Sequence, residues 1–301
     1  PNNITVEIDR SGSKPVYRAK VFSATVGFRT RIEVRMKSDG AIYVSIPVVP
    51  TELPFVIVMR ALNVERDDRI AELVSPLPEV QRWLEQSFEK ASGVFTVDEA
   101  IMYIGNRVAF GQDEERRRDK ANNIIDKNFV LHLGRTSESR IEKARYLAEI
   151  VRRVIELKLG LRTVDDKDHY ANKRLKLAGD LMEDLFRISL NRLTRDIKYQ
   201  LERASMRHRD LSIATAVRAD VLTERLLHPL ATGNWVGGRT GVSQLLDRVD
   251  HMSVLSHLRR VISPLSRSQP HFEARDLHPT QWGRICPSET PEGPNCGLVK
   301  N

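Results

Sequence analysis

The sequence has few cysteines, few aromatic residues and no long apolar run. Its 301 residues include 2 cysteines, and Phe, Trp and Tyr make up 6% of the chain. Cys286 and Cys296 are too few for a disulfide framework or, by themselves, a zinc site, so we expect two buried thiols and a reducing compartment. That compartment is the cytoplasm, or the nucleus in a eukaryote. Without about 18 consecutive apolar residues or a signal-peptide pattern, we predict no membrane span and no membrane partner.

Lysine is missing from one long part of the chain. Between Tyr199 and Val299 the sequence has many arginines and no lysine. Arginine presents a planar fork of donors that suits phosphate oxygens and stacked bases, whereas lysine is a mobile point charge. This bias fits fixed contacts with nucleic acid and equally fits arginines held in salt bridges with neighbouring Asp and Glu residues. The net charge of +8 favours a polyanionic partner only weakly.

The hydrophobic pattern changes from strand to helix within the first half of the chain. Alternation predicts strands over residues 4–8, 16–24, 32–36 and 42–46, with turns at Ser11-Gly12-Ser13 and Asp39-Gly40. The helical period predicts helices over residues 55–62, 77–91, 96–104, 139–159 and 181–201. Ser139 and Glu142 have capping-box spacing, and Gly160 should end the helix that they begin. We therefore predict an α+β fold, with a small antiparallel β-sheet and packed helices followed by a mainly helical region with irregular loops.

From residue 233 onward the sequence is rich in Gly, Pro, Arg and His and has little periodicity. Glycine and proline fix backbone shape at the expense of helix or strand, as is typical of loops that hold a site. Three strings stand out: Asp-His-Tyr-Ala-Asn-Lys-Arg-Leu at 168–175, Ser-His-Leu-Arg-Arg at 256–260 and Ser-Glu-Thr-Pro-Glu-Gly-Pro-Asn at 288–295. They resemble the fork region, and the segment before it, of the second-largest subunit of multisubunit DNA-directed RNA polymerases, which is the archaeal counterpart of the bacterial beta type.

The resemblance implies a division of the chain into three parts. Residues 1–164 would form a lobe domain, residues 165–232 the helical part of a protrusion, and residues 233–301 a fork region truncated at its C-terminus. Because the chain opens at Pro1 and stops inside a patterned stretch at Asn301, we expect a fragment of a longer subunit. The lobe assignment depends on position and pattern more than on motifs.

The resemblance also implies an enzyme whose chemistry lies elsewhere. The parent would be a nucleotidyltransferase that polymerises nucleoside triphosphates on a DNA template, with two Mg²⁺ ions stabilising the attacking and leaving oxygens. In this family the largest subunit holds the Mg²⁺, so we expect no cofactor, no metal ligand and no catalytic residue in this chain. The expected partners are the other polymerase subunits, chiefly the largest, together with template DNA, nascent RNA and transcription factors at the lobe.

By resemblance, particular residues of the fork receive roles. We expect nucleic-acid contacts from Arg239, Gln244, Arg259, Arg260, Arg267 and Arg275. We expect Asp247, His257, Glu289, Glu292 and Asn295 to shape the active centre. Arg239 belongs to a first fork loop, Gly237–Gly241, which lacks the lysine and the preceding strand of a nucleotide P-loop. Arg267 and Arg275 belong to a second fork loop, Ser263–Arg275, placed where downstream DNA strands separate.

Other interpretations of the same residues remain open. Glu289 and Glu292 have the spacing of paired hydrolase carboxylates, but their rigid Pro-Gly frame lacks a nucleophile or metal cluster. His257 is interpreted as a structural, hydrogen-bonding histidine. As alternatives to the polymerase, the chain is a stand-alone, non-enzymatic nucleic-acid-binding or assembly module, or its charges serve salt bridges between subunits.

Overall fold

The computed structural model describes residues 3–10, 14–25, 28–207 and 213–301. Within it the chain forms two compact units, Pro1–Asp165 and Asp166–Asn301. The turn expected at residues 11–13 lies outside the described residues. The three-part division into 1–164, 165–232 and 233–301 stays a prediction.

The first unit begins with an antiparallel five-stranded sheet whose strands follow one another in sequence order. The strands are β1 (Ile4–Asp9), β2 (Val16–Thr25), β3 (Phe28–Met36), β4 (Ile42–Ser45) and β5 (Leu53–Pro54). Register pairs Val21 with Ile32 on the inner face, where both side chains are fully buried. On the other face Arg35 Nε lies 2.8 Å from Glu33 Oε1. The predicted α+β class and antiparallel sheet are confirmed.

Helices cover the inner face of this sheet. They are α1 (Phe55–Ala61), α2 (Asp67–Val74), α3 (Pro78–Arg82), α4 (Glu85–Glu89), α5 (Val97–Val108), α6 (Glu114–Lys127) and α7 (Arg140–Leu159). Leu147, Val151 and Val154 of α7 are completely buried in the core. Gly160, with a φ of 75°, ends α7 in the left-handed conformation as the sequence predicts.

Two local predictions in this unit are wrong. The helix expected over 77–91 is broken, because the N–H groups of Trp83 and Leu84 bond to carbonyls three residues back rather than four. The break places the buried Ser87 so that its Oγ accepts the backbone N–H of Ile42 at 3.0 Å. The Ser139 capping box is absent, since Ser139 Oγ donates to Thr136 O instead.

The second unit is mainly helical and has little buried apolar surface of its own. Its elements are α8 (Ala178–Met206), α9 (Ile213–Ala216), α10 (Ala219–Thr232), α11 (His251–Leu258), β6 (Val261–Ile262), α12 (Phe272–Arg275) and β7 (Val299–Lys300). Although α8 is 29 residues long, its buried residues are Leu185 and Ser189. Among the described helices, none has the length and hydropathy to cross a bilayer.

Candidate nucleic-acid interface

A two-stranded pairing brings the second loop and the last proline- and glycine-containing turn of the sequence together. Strands β6 and β7 are antiparallel, with Ile262 opposite Val299. Directly after β6, the N–H of Ser263 donates to Leu298 O at 2.8 Å. Leu298 and Val299 are buried. The start of loop 263–275 is therefore fixed beside the chain that leaves the 288–297 segment, which we call the Pro-Gly turn.

Hydrogen bonds inside the Pro-Gly turn hold its shape. Thr290 Oγ1 donates to Val299 O and accepts the N–H of Gly297, both at 2.9 Å. Gly293 has a φ of 79°, which is unfavourable for residues with a side chain, and it begins a short 3-10 turn. A turn with these internal contacts can present side chains in one arrangement.

Glu289 is bound from two sides. Its Oε1 accepts hydrogen bonds from Ser256 Oγ, at 2.7 Å, and from Asn301 Nδ2. The hydrogen bonds from Ser256 and Asn301, together with the charges of Arg259 and Arg260, lower the pKa of the Glu289 carboxyl. Glu289 is consequently an ionised anchor between α11 and the Pro-Gly turn.

Glu292 has a different environment from Glu289. Its side chain is exposed and makes no hydrogen bond or ion pair within the described part of the chain. No contact joins the Glu292 and Glu289 carboxylates, so nothing in this geometry favours the paired-carboxylate hydrolase.

Helix α11 positions His257 and the segment before it. The helix begins with a capping box in which Asp250 and Ser253 bind each other's backbone N–H groups. His257 Nδ1 accepts the N–H of Asp247 at 3.0 Å, so its Nε2 carries the proton and donates to Gln244 Oε1, also at 3.0 Å. The structure thus brings together Gln244, Asp247 and His257, three of the residues selected from the sequence.

Arg259 and Arg260 follow α11 directly. Arg259 caps the helix and is exposed, and within the described residues its guanidinium makes no hydrogen bond or ion pair. Arg260 is half-buried, and its Nε is enclosed without a hydrogen-bond partner. A buried N–H without a partner is costly, which makes it available to an acceptor from outside the chain.

The first loop is anchored at its base. Trp235 donates its backbone N–H to Arg239 O at 2.7 Å and its indole N–H to Leu181 O of α8 at 2.9 Å. Trp235 is itself buried. The half-buried Arg239 side chain makes no hydrogen bond to other described residues. The loop is fixed by its tryptophan, and its arginine is left available.

The two arginines of the second loop have partners within the chain. Arg267 Nε donates to Asn295 Oδ1. Arg275 donates from Nε to Pro270 O at 2.7 Å, and from Nη1 to Pro294 O at 2.8 Å and Cys296 O at 2.6 Å. Both cations therefore contact the Pro-Gly turn.

Sequence reasoning missed a polar cluster around Tyr170. The Tyr170 hydroxyl donates to Gln281 Oε1 at 3.1 Å, and Lys300 Nζ donates to the same hydroxyl at 3.1 Å. Gln281 is 2% exposed. The string at 168–175 carried the family resemblance but no periodicity, so nothing in the sequence indicated that Tyr170 binds Gln281 and Lys300.

Both cysteines are exposed, so the expected burial of their thiols is wrong. They lie in loops, and their backbone groups make the contacts: Cys286 N–H donates to Asn301 O at 2.7 Å, while Cys296 O accepts from Arg275. Within the residues that the structure describes, no group of three or more His, Cys, Asp or Glu side chains has the arrangement of a metal site.

Comparison with known proteins establishes the family. Residues 1–176 match the family model described as RNA polymerase Rpb2, domain 2, and residues 244–301 match RNA polymerase Rpb2, domain 3. The chain belongs to the RNA polymerase Rpb2 family, and within it the chain is similar to the archaeal form of the second-largest subunit. The resemblance seen in the sequence is confirmed.

The curated relatives are archaeal polymerase subunits. The chain is 56% identical over 301 residues to DNA-directed RNA polymerase subunit Rpo2 of Saccharolobus solfataricus, covering 100% of this chain and 27% of the relative. It is 56% identical over 305 residues to subunit Rpo2N of Halobacterium salinarum, covering all of this chain and 58% of the relative. The corresponding match to Rpo2N of Methanococcus vannielii is 56% over 304 residues and 61% of the relative. The chain thus spans about a quarter of Rpo2 and about three-fifths of Rpo2N.

Proposed function

We propose that this chain is part of a DNA-directed RNA polymerase and that its 233–301 segment holds template DNA and nascent RNA near the active centre. Family membership supports the first statement. For the second, the observation that carries the proposal concerns the arginines of this segment. None of the seven arginines in 233–301 forms an ion pair with a carboxylate elsewhere in the described residues.

The absence of ion pairs separates two interpretations of the arginine bias. If these arginines served salt bridges within the chain, their guanidinium groups would lie against Asp247, Asp250, Glu289 or Glu292. Instead, Arg259 is exposed without a partner and Arg260 has an unpaired Nε in the described part of the chain. Uncompensated, closely spaced cations are favourable next to the phosphates of a nucleic acid.

We assign complementary roles to the other residues. Arg239 and Arg267 present guanidinium nitrogens from the first and second loops to phosphate oxygens. The Gln244–His257–Asp247 contacts fix the backbone before α11, so that the arginines at its end have a defined position. Glu289, Glu292 and Asn295 shape the RNA path from the Pro-Gly turn.

The polymerase reaction itself is assigned to the whole assembly. Such an enzyme joins nucleotides by phosphoryl transfer, in which Mg²⁺ stabilises the attacking and leaving oxygens. The described residues hold no cluster of ligands that fits Mg²⁺, so we assign the metal to the largest subunit and no catalytic residue to this chain. The 1–164 segment is assigned to the lobe, where transcription factors would bind. An archaeal assembly of this kind would lie in the cytoplasm.

The test uses the full-length subunit in its own cell. The tagged subunit is purified with whatever accompanies it and assayed for RNA synthesis that depends on template and Mg²⁺. We expect the other large subunits and the activity to co-purify, and Arg259→Ala with Arg260→Ala to lower RNA synthesis roughly tenfold or more, because two phosphate contacts are lost.

A matched pair of arginines provides the control. Arg152 and Arg153 are also adjacent, but both pair with Glu149 on the surface of α7. Replacing both with Ala removes the same charge and should leave RNA synthesis close to wild type. If the tagged subunit emerges alone and inactive, the polymerase proposal is wrong and the stand-alone binding module is the better account.

A further inference from the structure

We propose that Arg275 is a positioning residue that fastens the second loop to the Pro-Gly turn, and that it does not contact phosphate as the family resemblance suggests. The inference depends on the proposed function, since it concerns how the same segment is held for RNA synthesis. It assigns different roles to two cations of one loop, Arg267 and Arg275.

The hydrogen bonds of Arg275 leave it poorly suited to a phosphate. A guanidinium has five N–H donors, and the paired grip on an anion uses two parallel donors on neighbouring nitrogens. Three donors of Arg275 already bind the carbonyls of Pro270, Pro294 and Cys296. Each of the possible donor pairs includes Nε or Nη1, so a bidentate phosphate contact would require breaking a bond that closes the loop.

The backbones at this joint are in close contact. Gly297 has a φ of 71°, and a Cβ placed on it would lie 2.7 Å from Arg275 Cα. No side chain fits at that distance, and the positive φ disfavours one as well. The sequence thus provides a glycine where the backbone of Arg275 approaches and an arginine whose side chain bridges the same gap.

A second contact links the same two segments. Arg267 donates from Nε to Asn295 Oδ1, which leaves both of its Nη nitrogens without a partner in the described residues. The loop is therefore attached to the turn near its middle and at its end. Arg275 fixes the joint, and Arg267 can bind the turn and still present two nitrogens to phosphate.

The position of the turn explains why the joint would affect synthesis. Glu292 and Asn295 lie on the turn, and we propose above that they shape the RNA path. Displacements of about 1 Å in a reacting arrangement can cost roughly 100-fold in rate. Loosening Arg275 should therefore slow nucleotide addition without removing a phosphate contact.

The experiment uses polymerase assembled with the full-length subunit and a synthetic scaffold of template DNA, non-template DNA and RNA primer. Binding is titrated with salt, and the rate of single-nucleotide addition is measured per assembled enzyme. We expect Arg275→Ala to leave the slope of log affinity against log salt unchanged and to lower the addition rate roughly tenfold or more. Arg259→Ala, which removes a phosphate contact, should reduce the slope by about one.

Two milder variants keep the test decisive if Arg275→Ala assembles poorly. Arg275→Lys retains a cation that can reach the carbonyls of Pro294 and Cys296, so it should recover part of the lost rate. Gly297→Ala separates the same backbones and should lower the rate with an unchanged salt slope. The combined Arg275→Lys and Gly297→Ala variant should be little slower than Gly297→Ala alone, because both changes open one joint.

Each outcome decides something definite. A slope reduced by about one in the Arg275 variants would identify a phosphate contact and overturn the inference. A wild-type rate per assembled enzyme, with only the yield of assembly reduced, would show a merely structural residue and overturn it equally. If instead the Arg259→Ala slope is unchanged while the Arg275 variants are slow, the phosphate role of Arg259 fails and the positioning role of Arg275 stands.

Discussion

At the scale of single residues, His257 shows how one side chain can fix an irregular segment. Because a backbone N–H can only donate, the contact from Asp247 requires an unprotonated Nδ1, and the contact to Gln244 then uses the proton on Nε2. The ring serves as an acceptor at one nitrogen and a donor at the other. This matches the structural role predicted for His257 and leaves it no role as a base.

The two ring nitrogens can be tested separately by amide isosteres. His257→Asn keeps an acceptor near the Nδ1 position, whereas His257→Gln keeps a donor near the Nε2 position. We expect the amide of Asp247 to stay protected from hydrogen exchange in the Asn variant. In the Gln variant it should exchange roughly fivefold faster, since a lost hydrogen bond of this kind is worth about 1 kcal/mol.

His257→Ala is the control, because it removes both contacts and should expose the same amide. Equal exchange at Asp247 in the Asn and Gln variants would show that the bond to Nδ1 does not hold this segment.

At the scale of elements, α7 carries a charge inside the core that its hydrophobic pattern does not predict. Lys143 is completely buried, and its Nζ donates to Ile125 O at 3.0 Å and to Asp126 O at 2.7 Å. Burial lowers the pKa of Lys143 to about 8; the charge of Asp126 opposes this shift and that of Arg140 adds to it. Folding therefore favours loss of this proton.

This lowered pKa makes the stability of the first unit depend on pH. Between about pH 8 and pH 10 the unfolded chain keeps the Lys143 proton and the folded chain releases it, so stability should rise with pH. The slope from this group cannot exceed about 1.4 kcal/mol per pH unit. Urea unfolding of the chain and of Lys143→Met, compared at pH 8 and pH 10, measures it, and the rise should be absent from the variant.

The upper limit of that window is set by a neighbouring tyrosine. Burial raises the pKa of Tyr146 to about 12, so above pH 10 the unfolded chain loses the tyrosine proton first and stability should fall. An equal pH response in the wild type and in Lys143→Met would contradict the assignment to Lys143.

The elements that the sequence predicts best are those whose pattern is also their packing. Alternation in β3 and the three- and four-residue steps in α7 follow from the faces that these elements bury. The break between α3 and α4 was not predictable, because it depends on Ser87 meeting the backbone of Ile42, which is distant in sequence. Lys143 was not predictable either, since pattern reasoning assigns every lysine to solvent.

The candidate site was predictable in its residues and not in their contacts. Short strings carried the family resemblance and so selected Arg259, Glu289 and Asn295. Whether an arginine is free or occupied depends on which carbonyls surround it, and Arg259 and Arg275 are alike in the sequence but opposite in this respect. The exposure of both cysteines was missed for the same reason.

At the scale of the whole molecule, apolar burial is distributed unevenly between the two units. The contiguous hydrophobic core consists entirely of residues from Ile4 to Leu157. In Asp166–Asn301 the buried apolar side chains are few, among them Leu185, Trp235 and Leu298. Phe186 and Leu190 of α8 are 47% and 44% exposed, although they lie on a helix with an apolar face.

This distribution predicts two steps of unfolding for the isolated chain. Burying apolar surface supplies roughly 25 cal/mol per Å², so the first unit should resist denaturant and protease longer than the second. Limited proteolysis followed by mass spectrometry should therefore cut first within residues 166–301 and leave a resistant fragment near residues 1–165. Hydrogen exchange should show the same order, with α7 protected longest and α8 among the first to exchange. If both units lost protection together at one denaturant concentration, the two would form one cooperative structure, and the uneven burial would not govern the stability of the chain.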